Sequence, residues 1–396
     1  MPDVGFRIVQ RIIRRVVLPE PFGPRITIIS PALTVKFKPR RASVLPYLFE
    51  RFSVSTANKL GKRQFVGMSD KNVEPTPRGT SAGSTFANPE ECYQQAAQGH
   101  DMDFGVCVPN YGESSSAEAL RTVALAAERA GCDSLWATDH LLMPRNSGTP
   151  YERIFDTLTT LAYLAAITSR VKLGISSLIT AMRNPVVVAK QLVTIDNLSG
   201  GRLMLATSVG WNEKEFAHLG SNFHNRGKRL DASIRLIRAL WNGQTSFKSG
   251  ILGIEFNDAS FEPRPIQKDL TIWIGGTSKA AMKRAATLGD AWHPNVQPLD
   301  QFAKLVAEFR GTSPEARTKE IRVRIGINTR VEQSEYKSPQ GEKRIMFSGN
   351  HAQNKQILSR LEELGVSYIV AVPSPDGKAS ISNQVDAVKT LARLLR

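Results

Sequence analysis

The chain has 396 residues, of which 41% are hydrophobic, and it carries a formal net charge of +16 at pH 7. It contains no apolar run of the roughly 18–20 residues that span a bilayer, so we expect no membrane-spanning segment. Its cysteines (Cys92, Cys107 and Cys132) and six histidines show neither CxxC nor HExxH spacing, which predicts no metal site and reduced thiols in a cytoplasmic protein.

The first 101 residues lack the periodic apolar pattern of a folded domain. Residues 1–67 alone carry 13 basic residues against 3 acidic ones, so most of the positive charge of the chain lies there. Such a charge would suit nucleic acid, and a non-enzymatic basic binding protein is one hypothesis. The rest of the chain has the mixed charge of an ordinary soluble domain, so we predict no nucleic-acid partner.

Several interpretations of residues 1–101 follow from their composition. Residues 68–98 are rich in Ser, Thr, Pro, Gly and Gln, which favours disorder. An Arg-rich, acid-poor composition also fits an organelle transit peptide. The segment RRVVLPEPFGPRITIISPALTVKFKPRR, which begins at Arg14, resembles peptides translated from the strand opposite a transporter ATPase gene. We therefore interpret 1–101 as a disordered or spurious extension, favour Met102 as the natural start, and place the folded domain at 102–396.

After Met102, strand patterns alternate with helix patterns. Two helix starts carry local signals, a capping box at Ser115-x-x-Glu118 and Asn184 before Pro185. Eight strand–helix repeats exceed the usual size of a doubly wound sheet, which predicts an α/β fold of the (β/α)8 TIM-barrel type. The predicted strands are Phe104–Pro109, Ser134–Thr138, Val171–Leu178, Leu203–Val209, Thr271–Ile274, Ala291–His293, Val323–Val331 and Tyr368–Val372.

The segment 242–269, after the fourth helix, is too long for an ordinary connection. It contains Phe247, Phe256 and Phe261, and we predict a hairpin and loop that cover one end of the barrel. A lid, a dimer contact and a surface excursion without function all fit this segment.

The active site of such a barrel lies where the strands end, at their carboxyl termini. Polar and small residues recur at these ends and form the candidate site. They are Asn110, Asp139, His140, Ser176, Ser177, Ser208, Gly210, Trp211, Gly275, Gly276 and Thr277.

Three of these positions suggest specific chemistry. Gly275 and Gly276 let backbone N–H groups approach an anion, and Thr277 can cap the next helix, whose N-terminus attracts phosphate. Asp139 and His140 suit either general acid–base chemistry and cofactor contact or a buried structural pair. The absence of GxGxxG argues against a Rossmann dinucleotide site.

Two further features have a simpler interpretation beside the functional one. Trp211 either stacks on a planar ring or closes the barrel mouth. Arg226 and Arg229 with Asp231 are interpreted as a solvated, ion-paired helix start.

Several long motifs in order resemble one family. They are FGVCVPNYG from Phe104, WATDH from Trp136, RVKLGISSLITAMRNPVVVAKQLVTIDNLSGGRLMLATSVGWNEKEF from Arg170, RGKRLDASIRLIRALW from Arg226, and IWIGGTSKAAMKRAATLGDAW from Ile272. They resemble the bacterial-luciferase-like flavin monooxygenases and deazaflavin F420-dependent oxidoreductases, and the F420-dependent subgroup most. The resemblance covers residues 102–375.

The resemblance implies roles for matching positions. A non-proline cis peptide at Ser176-Ser177 would support the cofactor ring, while Asp139 and His140 would face the ring and substrate. The turn at Gly275 and Gly276 would hold the cofactor phosphate. The sugar-phosphate dehydrogenase branch has an acidic residue where this chain has Trp211, so its chemistry and substrate are not carried over.

The function implied by the resemblance is F420-dependent hydride transfer to or from a small organic substrate, with the cofactor carrying the redox chemistry. The alternative is an FMN-dependent monooxygenase that uses O2 and receives reduced flavin from a separate reductase. Both use the same barrel positions, so the sequence does not separate them. Relatives are commonly dimers, and we expect a homodimer.

Overall fold

The computed structural model describes residues 102–373 and 375–396, so the predictions for residues 1–101 lie outside the described part. Its strands are β1 (Asp103–Cys107), β2 (Ser134–Ala137), β3 (Lys172–Leu178), β4 (Leu203–Thr207), β5 (Phe247–Ser249), β6 (Ile254–Phe256), β7 (Ile272–Gly275), β8 (Ala291–His293), β9 (Glu320–Ile327), β10 (Glu335–Lys337), β11 (Lys343–Phe347) and β12 (Val366–Pro373).

Eight of these strands pair in parallel and close on themselves. The order around the ring is β1-β2-β3-β4-β7-β8-β9-β12, and β12 pairs with β1. Helices follow the strands on the outside, which confirms the predicted (β/α)8 barrel. The helices are α1 (Ala117–Arg129), α2 (Thr157–Ile167), α3 (Pro185–Leu198), α4 (Glu213–His218), α5 (Arg226–Trp241), α6 (Lys279–Thr287), α7 (Leu299–Gly311), α8 (His351–Glu363) and α9 (Ile381–Leu395).

The two predicted helix starts have different outcomes. The Asn184 side chain accepts from the N–H of Val186 at 3.0 Å, and Pro185 is the first residue of α3, as expected. At α1 the cap is Ser116 rather than Ser115. Ser115 instead accepts a hydrogen bond from Arg153 Nε at 3.0 Å, so a tertiary contact takes the hydroxyl that local sequence assigned to the helix.

The barrel is filled by rings along its axis. Trp136 lies 4.9 Å from Trp273 between ring centroids, and Trp273 lies 5.2 Å from Tyr368. A Cβ at Gly174 would lie 2.3 Å from the Trp136 ring, so only glycine leaves room for this packing. A second, larger apolar core lies between the barrel and the helices. The aromatic layer forms a solid floor under the carboxyl ends of the strands.

The predicted hairpin in 242–269 is present as antiparallel β5 and β6. It packs on the outside of the helices, where Arg229 donates to the Ile251 carbonyl and Lys190 lies over the Phe261 ring. None of its described residues lines the cavity at the barrel mouth, so the segment is not part of that cavity's wall.

A second hairpin, β10 and β11, was missed by the sequence analysis. The predicted seventh strand ran to Val331, whereas β9 ends at Ile327 and the chain then turns into this hairpin. β11 pairs in parallel with the end of β9, so the hairpin stands at the barrel mouth. In the described part of the chain, no helix is long and apolar enough to cross a membrane.

Candidate functional site

A cavity of about 510 Å³ opens at the carboxyl ends of the barrel strands. Its walls come from the ends of most barrel strands and from the hairpin β10–β11. Ten of the candidate residues line it: Asp139, His140, Ser176, Ser177, Ser208, Gly210, Trp211, Gly275, Gly276 and Thr277. The barrel thus brings together polar residues that lie far apart in the sequence.

His140 is held by a carboxylate that the sequence analysis missed. Its Nδ1 lies 2.7 Å from Glu215 Oε2, and the other oxygen of Glu215 accepts from the N–H of Leu141 at 2.7 Å. Burial alone raises the pKa of Glu215, but the hydrogen bond and charge of His140 and nearby backbone N–H groups bring that pKa below its ordinary value. Glu215 is therefore a carboxylate, and Nδ1 donates to it. The ring atom that can exchange a proton with a molecule in the cavity is Nε2.

Asp139 has a different role from the predicted acid–base partner of His140. One carboxylate oxygen accepts from Arg183 at 2.6 Å, and the other accepts from the N–H of Ile179 at 2.8 Å. Arg183 also reaches Asp156 at 3.3 Å. Both oxygens of Asp139 are thus engaged in fixing the segment after β3, and the residue positions the cavity wall.

Asn110 is placed outside the cavity lining, unlike the other candidates. Its side chain exchanges two hydrogen bonds with the backbone of Thr138, at 2.8 and 3.0 Å, and also donates to the Phe155 carbonyl. These bonds use both N–H groups of the amide and one of the two acceptor positions of its oxygen. Asn110 thereby joins the ends of β1 and β2.

The Ser176-Ser177 peptide bond is cis, as the resemblance implied. The Ser176 hydroxyl lies 2.8 Å from Nε2 of His293, whose Nδ1 donates to the Arg322 carbonyl. Burial lowers the pKa of His293 to about 3, and the nearby charges of Arg324 and Arg322 act in the same direction, while the bond to the carbonyl opposes it. His293 is therefore neutral, and its Nε2 accepts a hydrogen bond from the Ser176 hydroxyl.

Arg324 completes this network from the opposite wall. It is half-buried on β9 and donates to the Ser176 hydroxyl at 3.2 Å and to the Thr138 hydroxyl at 2.9 Å. Its guanidinium lines the cavity together with the two serines. A permanent positive charge thus lies beside the cis peptide.

The Gly275-Gly276 turn lies at the start of α6. Gly276 has φ of +113°, and a Cβ there would lie 3.0 Å from Ala281. The cap of α6 is Ser278, which accepts from the N–H of Ala281 at 3.2 Å, so the predicted cap at Thr277 is wrong by one residue. Thr277 lines the cavity instead.

Arg226 also lines the cavity, which corrects its interpretation as part of a solvated helix start. Its guanidinium lies 3.6 Å from the Phe223 ring centroid, and its buried Nε has no hydrogen-bond partner among the described residues. Asp231 pairs with Arg284, and Arg229 donates to the Ala181 carbonyl. Of the three charged residues at the start of α5, only Arg226 belongs to the cavity.

The segment after β4 contributes the remaining candidates. Gly210 has φ of +78°, and a Cβ there would lie 2.7 Å from Ile179 and 2.9 Å from Phe216. The Trp211 ring stands edge-on to His140 at 5.8 Å between centroids, and Tyr151 stacks on the other side at 4.5 Å. His140 is therefore fixed by two aromatic rings as well as by Glu215.

Comparison with known proteins gives the family of this chain. The model of the luciferase-like monooxygenases matches residues 102–337. The chain belongs to the luciferase-like monooxygenase family. The family uses flavin or deazaflavin cofactors.

Two curated relatives illustrate the range of the luciferase-like family. The chain is 28% identical over 215 residues to an FMNH2-dependent dimethylsulfone monooxygenase of Pseudomonas putida, covering 53% of this chain and 57% of the relative. It is 31% identical over 214 residues to a pyrimidine monooxygenase of Methylorubrum extorquens, covering 50% and 56%. The matches thus span little more than half of the length of these relatives.

Solved structures of low sequence identity share the fold. An F420-dependent secondary alcohol dehydrogenase, in complex with an F420–acetone adduct, superposes with a TM-score of 0.61 at 16% identity. The match covers 74% of this chain and 99% of that one. At this identity the likeness supports the barrel architecture alone.

The cavity suits the cofactors that luciferase-like enzymes use. Its volume lies within the range of about 300–1,000 Å³ for small-molecule sites. The glycine turn leaves open the space that a Cβ would fill, and Arg226, whose buried Nε has no partner among the described residues, lines the same cavity. Tyr111 also lines the cavity, and its hydroxyl is buried without a partner among the described residues. In the described chain no group of three His, Cys, Asp or Glu could hold a metal.

Proposed function

We propose that this protein transfers hydride between the deazaflavin F420 and a small organic substrate. The observation that carries the proposal is the pair His140–Glu215, which presents an imidazole Nε2 to the cavity near the cis Ser176-Ser177 peptide. When bound, the cofactor supplies the redox chemistry by accepting or donating hydride. Hydride transfer to a carbonyl carbon, or from the carbon of an alcohol, needs a group that moves a proton to or from the substrate oxygen, and His140 is suited to it.

The phosphate end of the cofactor is assigned to the turn after β7. Gly275, Gly276 and Thr277 offer backbone N–H groups at the start of α6, where the helix dipole favours negative charge. Arg226 adds a full positive charge to the same cavity. Ser176 and Ser177 would support the ring, with Ser208, Gly210 and Trp211 beside it.

The proton step is assigned to His140. Because Nδ1 donates to Glu215, the neutral ring has its lone pair on Nε2 and can accept a proton from a substrate hydroxyl. Glu215 then stabilises the imidazolium, and the reverse reaction returns the proton. Trp211 and Tyr151 hold the ring in this orientation.

The second candidate is an FMN-dependent monooxygenase, which the named activities of the curated relatives favour. It would use O2 and require a separate flavin reductase as partner. The same residues would hold the cofactor, and closure of the barrel floor would help to exclude water.

The test is a separate titration of the full-length chain with F420 and with FMN, oxidised and reduced, followed by cofactor fluorescence. The proposal expects F420 to bind more tightly than FMN. Preferential binding of reduced FMN would favour the monooxygenase, and binding of neither cofactor would overturn both candidates.

A variant tests the phosphate end. Gly276→Val should weaken FMN binding about 10-fold or more, because it strains a turn with φ of +113° and fills the anion space, but should affect phosphate-free riboflavin less. Gly250→Val is the matched control, since nothing lies within 4 Å of a Cβ at Gly250. Equal weakening of FMN and riboflavin would refute the phosphate role.

We also propose a cytoplasmic homodimer. Cys107 and Cys132 are buried free thiols, in keeping with a reducing compartment. Val187, Leu198 and Ile266 are exposed apolar side chains that a subunit contact could cover. Light scattering of the purified chain measures the assembly, and a monomeric mass would refute the dimer.

A further inference from the structure

Arg324 has no carboxylate partner among the residues that the structure describes. It is half-buried, and its two described hydrogen bonds go to the hydroxyls of Thr138 and Ser176. Two carboxylates line the same cavity among the described residues, and each already has another partner. Asp139 pairs with Arg183, and Glu342 pairs with Arg344 at 2.8 Å.

The neighbours of Arg324 offer it no internal counter-ion. His293 is neutral, since burial lowers its pKa to about 3, and its Nε2 accepts a hydrogen bond from the Ser176 hydroxyl. Tyr111 and Tyr336 are close enough for the charge of Arg324 to act on them, but burial raises the pKa of both phenols, so they stay protonated. A guanidinium in such surroundings keeps its charge and retains N–H donors for a ligand.

Tyr111 supplies the second, independent observation. Its side chain is 5% exposed and lines the cavity, and its hydroxyl has no hydrogen-bond partner in the described part of the chain. A buried hydroxyl without a partner costs free energy, which a ligand with acceptor oxygens would recover. The Tyr151 ring packs edge-on against it at 5.1 Å, so its position is fixed.

Tyr111 lies across the cavity from the turn assigned to the cofactor phosphate. Tyr111 follows β1, and in the ring of eight strands β1 stands opposite β7, which carries the Gly275-Gly276 turn. Arg226 serves as the cation at the β7 side in our assignment. A second cation, Arg324, is therefore available for a different anionic group.

We propose that Arg324 and Tyr111 form the substrate-recognition subsite, which binds the carboxylate or sulfonate group of a small organic anion. This inference rests on the proposed function, since it names the substrate class of the same cavity. The planar guanidinium donates two N–H groups to the oxyanion, and the Tyr111 hydroxyl donates a third. The substrate is thereby anchored by its acidic group, with its reacting oxygen towards His140.

The test measures binding, independently of turnover. Calorimetry of the full-length chain with butyrate and butanesulfonate, and with the neutral butyramide and 1-butanol, compares anions with uncharged molecules of similar size. We expect the anions to bind at least about 10-fold more tightly, as for charge-assisted hydrogen bonds in a partly buried site. Neutral analogues that bind as tightly as the anions would overturn the proposal.

Variants locate the effect. Arg324→Met should weaken anion binding roughly 10- to 100-fold, and Tyr111→Phe, which removes a hydroxyl without a described partner, should weaken it about 3- to 10-fold and remain folded. The matched control is Glu342→Gln/Arg344→Gln, which removes the ion pair between Glu342 and Arg344 from the cavity wall without changing the net charge. An equal loss in the control, or no loss in Tyr111→Phe, would contradict the assignment.

Cofactor titration separates this inference from the proposed function. In Arg324→Met, the affinity for F420 or FMN should stay within about 3-fold of the parent, since most of the assigned contacts remain. If the variant loses cofactor affinity but keeps anion affinity, Arg324 belongs to the cofactor and the inference is wrong. If the parent chain binds the anions but neither cofactor, the proposed function fails while the subsite stands.

Discussion

Two histidines face the same cavity from opposite sides of the barrel, and their surroundings give them opposite properties. His140 follows β2 and has a carboxylate, Glu215, on its Nδ1. His293 ends β8, the fourth strand on from β2 around the ring, and has a backbone carbonyl on its Nδ1. The first can carry a proton with charge compensation, whereas the second is held neutral next to Arg324.

In each histidine, the group bonded to Nδ1 decides what Nε2 can do in the cavity. A carboxylate stabilises the imidazolium, so His140 suits proton transfer. A carbonyl fixes the tautomer without compensating a charge, so His293 serves as an acceptor that orients Ser176. Both rings are buried, at 4% and 2% exposure, and the group bonded to Nδ1 differs between them.

The largest effect, on turnover, is expected for Glu215→Gln. This variant would give Nδ1 of His140 an uncharged partner, as Nδ1 of His293 has. Turnover should fall about 10²- to 10⁴-fold, because the imidazolium loses its counter-charge. The loss should fall on kcat rather than on KM, a split that a merely structural role would not cause.

The matched control for that variant is Glu213→Gln on the same short helix. Glu213 is exposed and pairs only loosely with His224, at 3.4 Å. Its replacement should leave turnover within about 2-fold. Similar losses in both variants would mean that helix α4, rather than the Glu215 carboxylate, matters.

A smaller effect, on stability, is expected for Asp139→Asn. The variant leaves the buried Arg183 without its closest counter-ion, so the free energy of unfolding should fall by about 3 kcal/mol. Urea unfolding measures it, with Glu255→Gln in the exposed pair with Lys248 as control, expected within about 0.5 kcal/mol. A stable Asp139→Asn variant with lost turnover would restore Asp139 as a catalytic partner of His140.

The smallest effect concerns pH. The folded pKa of His293 is about 3, below the ordinary value of 6.5, so under pH 6.5 the unfolded chain binds a proton that the folded chain does not. The His293 contribution to stability is therefore lost as the pH falls from 6.5 towards 3, by about 2 kcal/mol at pH 5.

Urea unfolding at pH 7 and at pH 5 tests this sign. His293→Gln should lose less stability between the two pH values than the parent, whereas the exposed His351→Gln should behave like the parent. If His293→Gln shows the full loss, the ring is not held neutral and the contrast with His140 does not hold.

The sequence predicted the barrel because its signals are local. Apolar runs, the Asn184-Pro185 start and the glycine turn after β7 depend on neighbouring residues. The cis peptide at Ser176-Ser177 came from family resemblance, since no local pattern indicates it. These parts of the candidate site lie at strand ends, and the barrel rule places such ends together.

The missed residues depend on contacts across the fold. Glu215 lies in the charged run Glu213-Lys214-Glu215, which resembles a solvated helix, and its partner His140 is 75 positions away. Arg324 had a detectable signal, because it alternates with buried Val323 and Ile325 in β9, and a period of two turns it towards the barrel axis. The hairpin β10–β11 was hidden by its short strands.

The aromatic floor under the cavity has a consequence for the binding and release of cofactor and substrate. The barrel axis is filled by the rings of Trp136, Trp273 and Tyr368. The missing side chain of Gly174 leaves the space that the Trp136 ring occupies. The floor closes the lower end of the cavity, so cofactor and substrate bind and dissociate through the same opening, at the barrel mouth. The ligand that binds deeper in the cavity must then bind first and dissociate last. Product-inhibition patterns would show whether this ligand is the cofactor or the substrate.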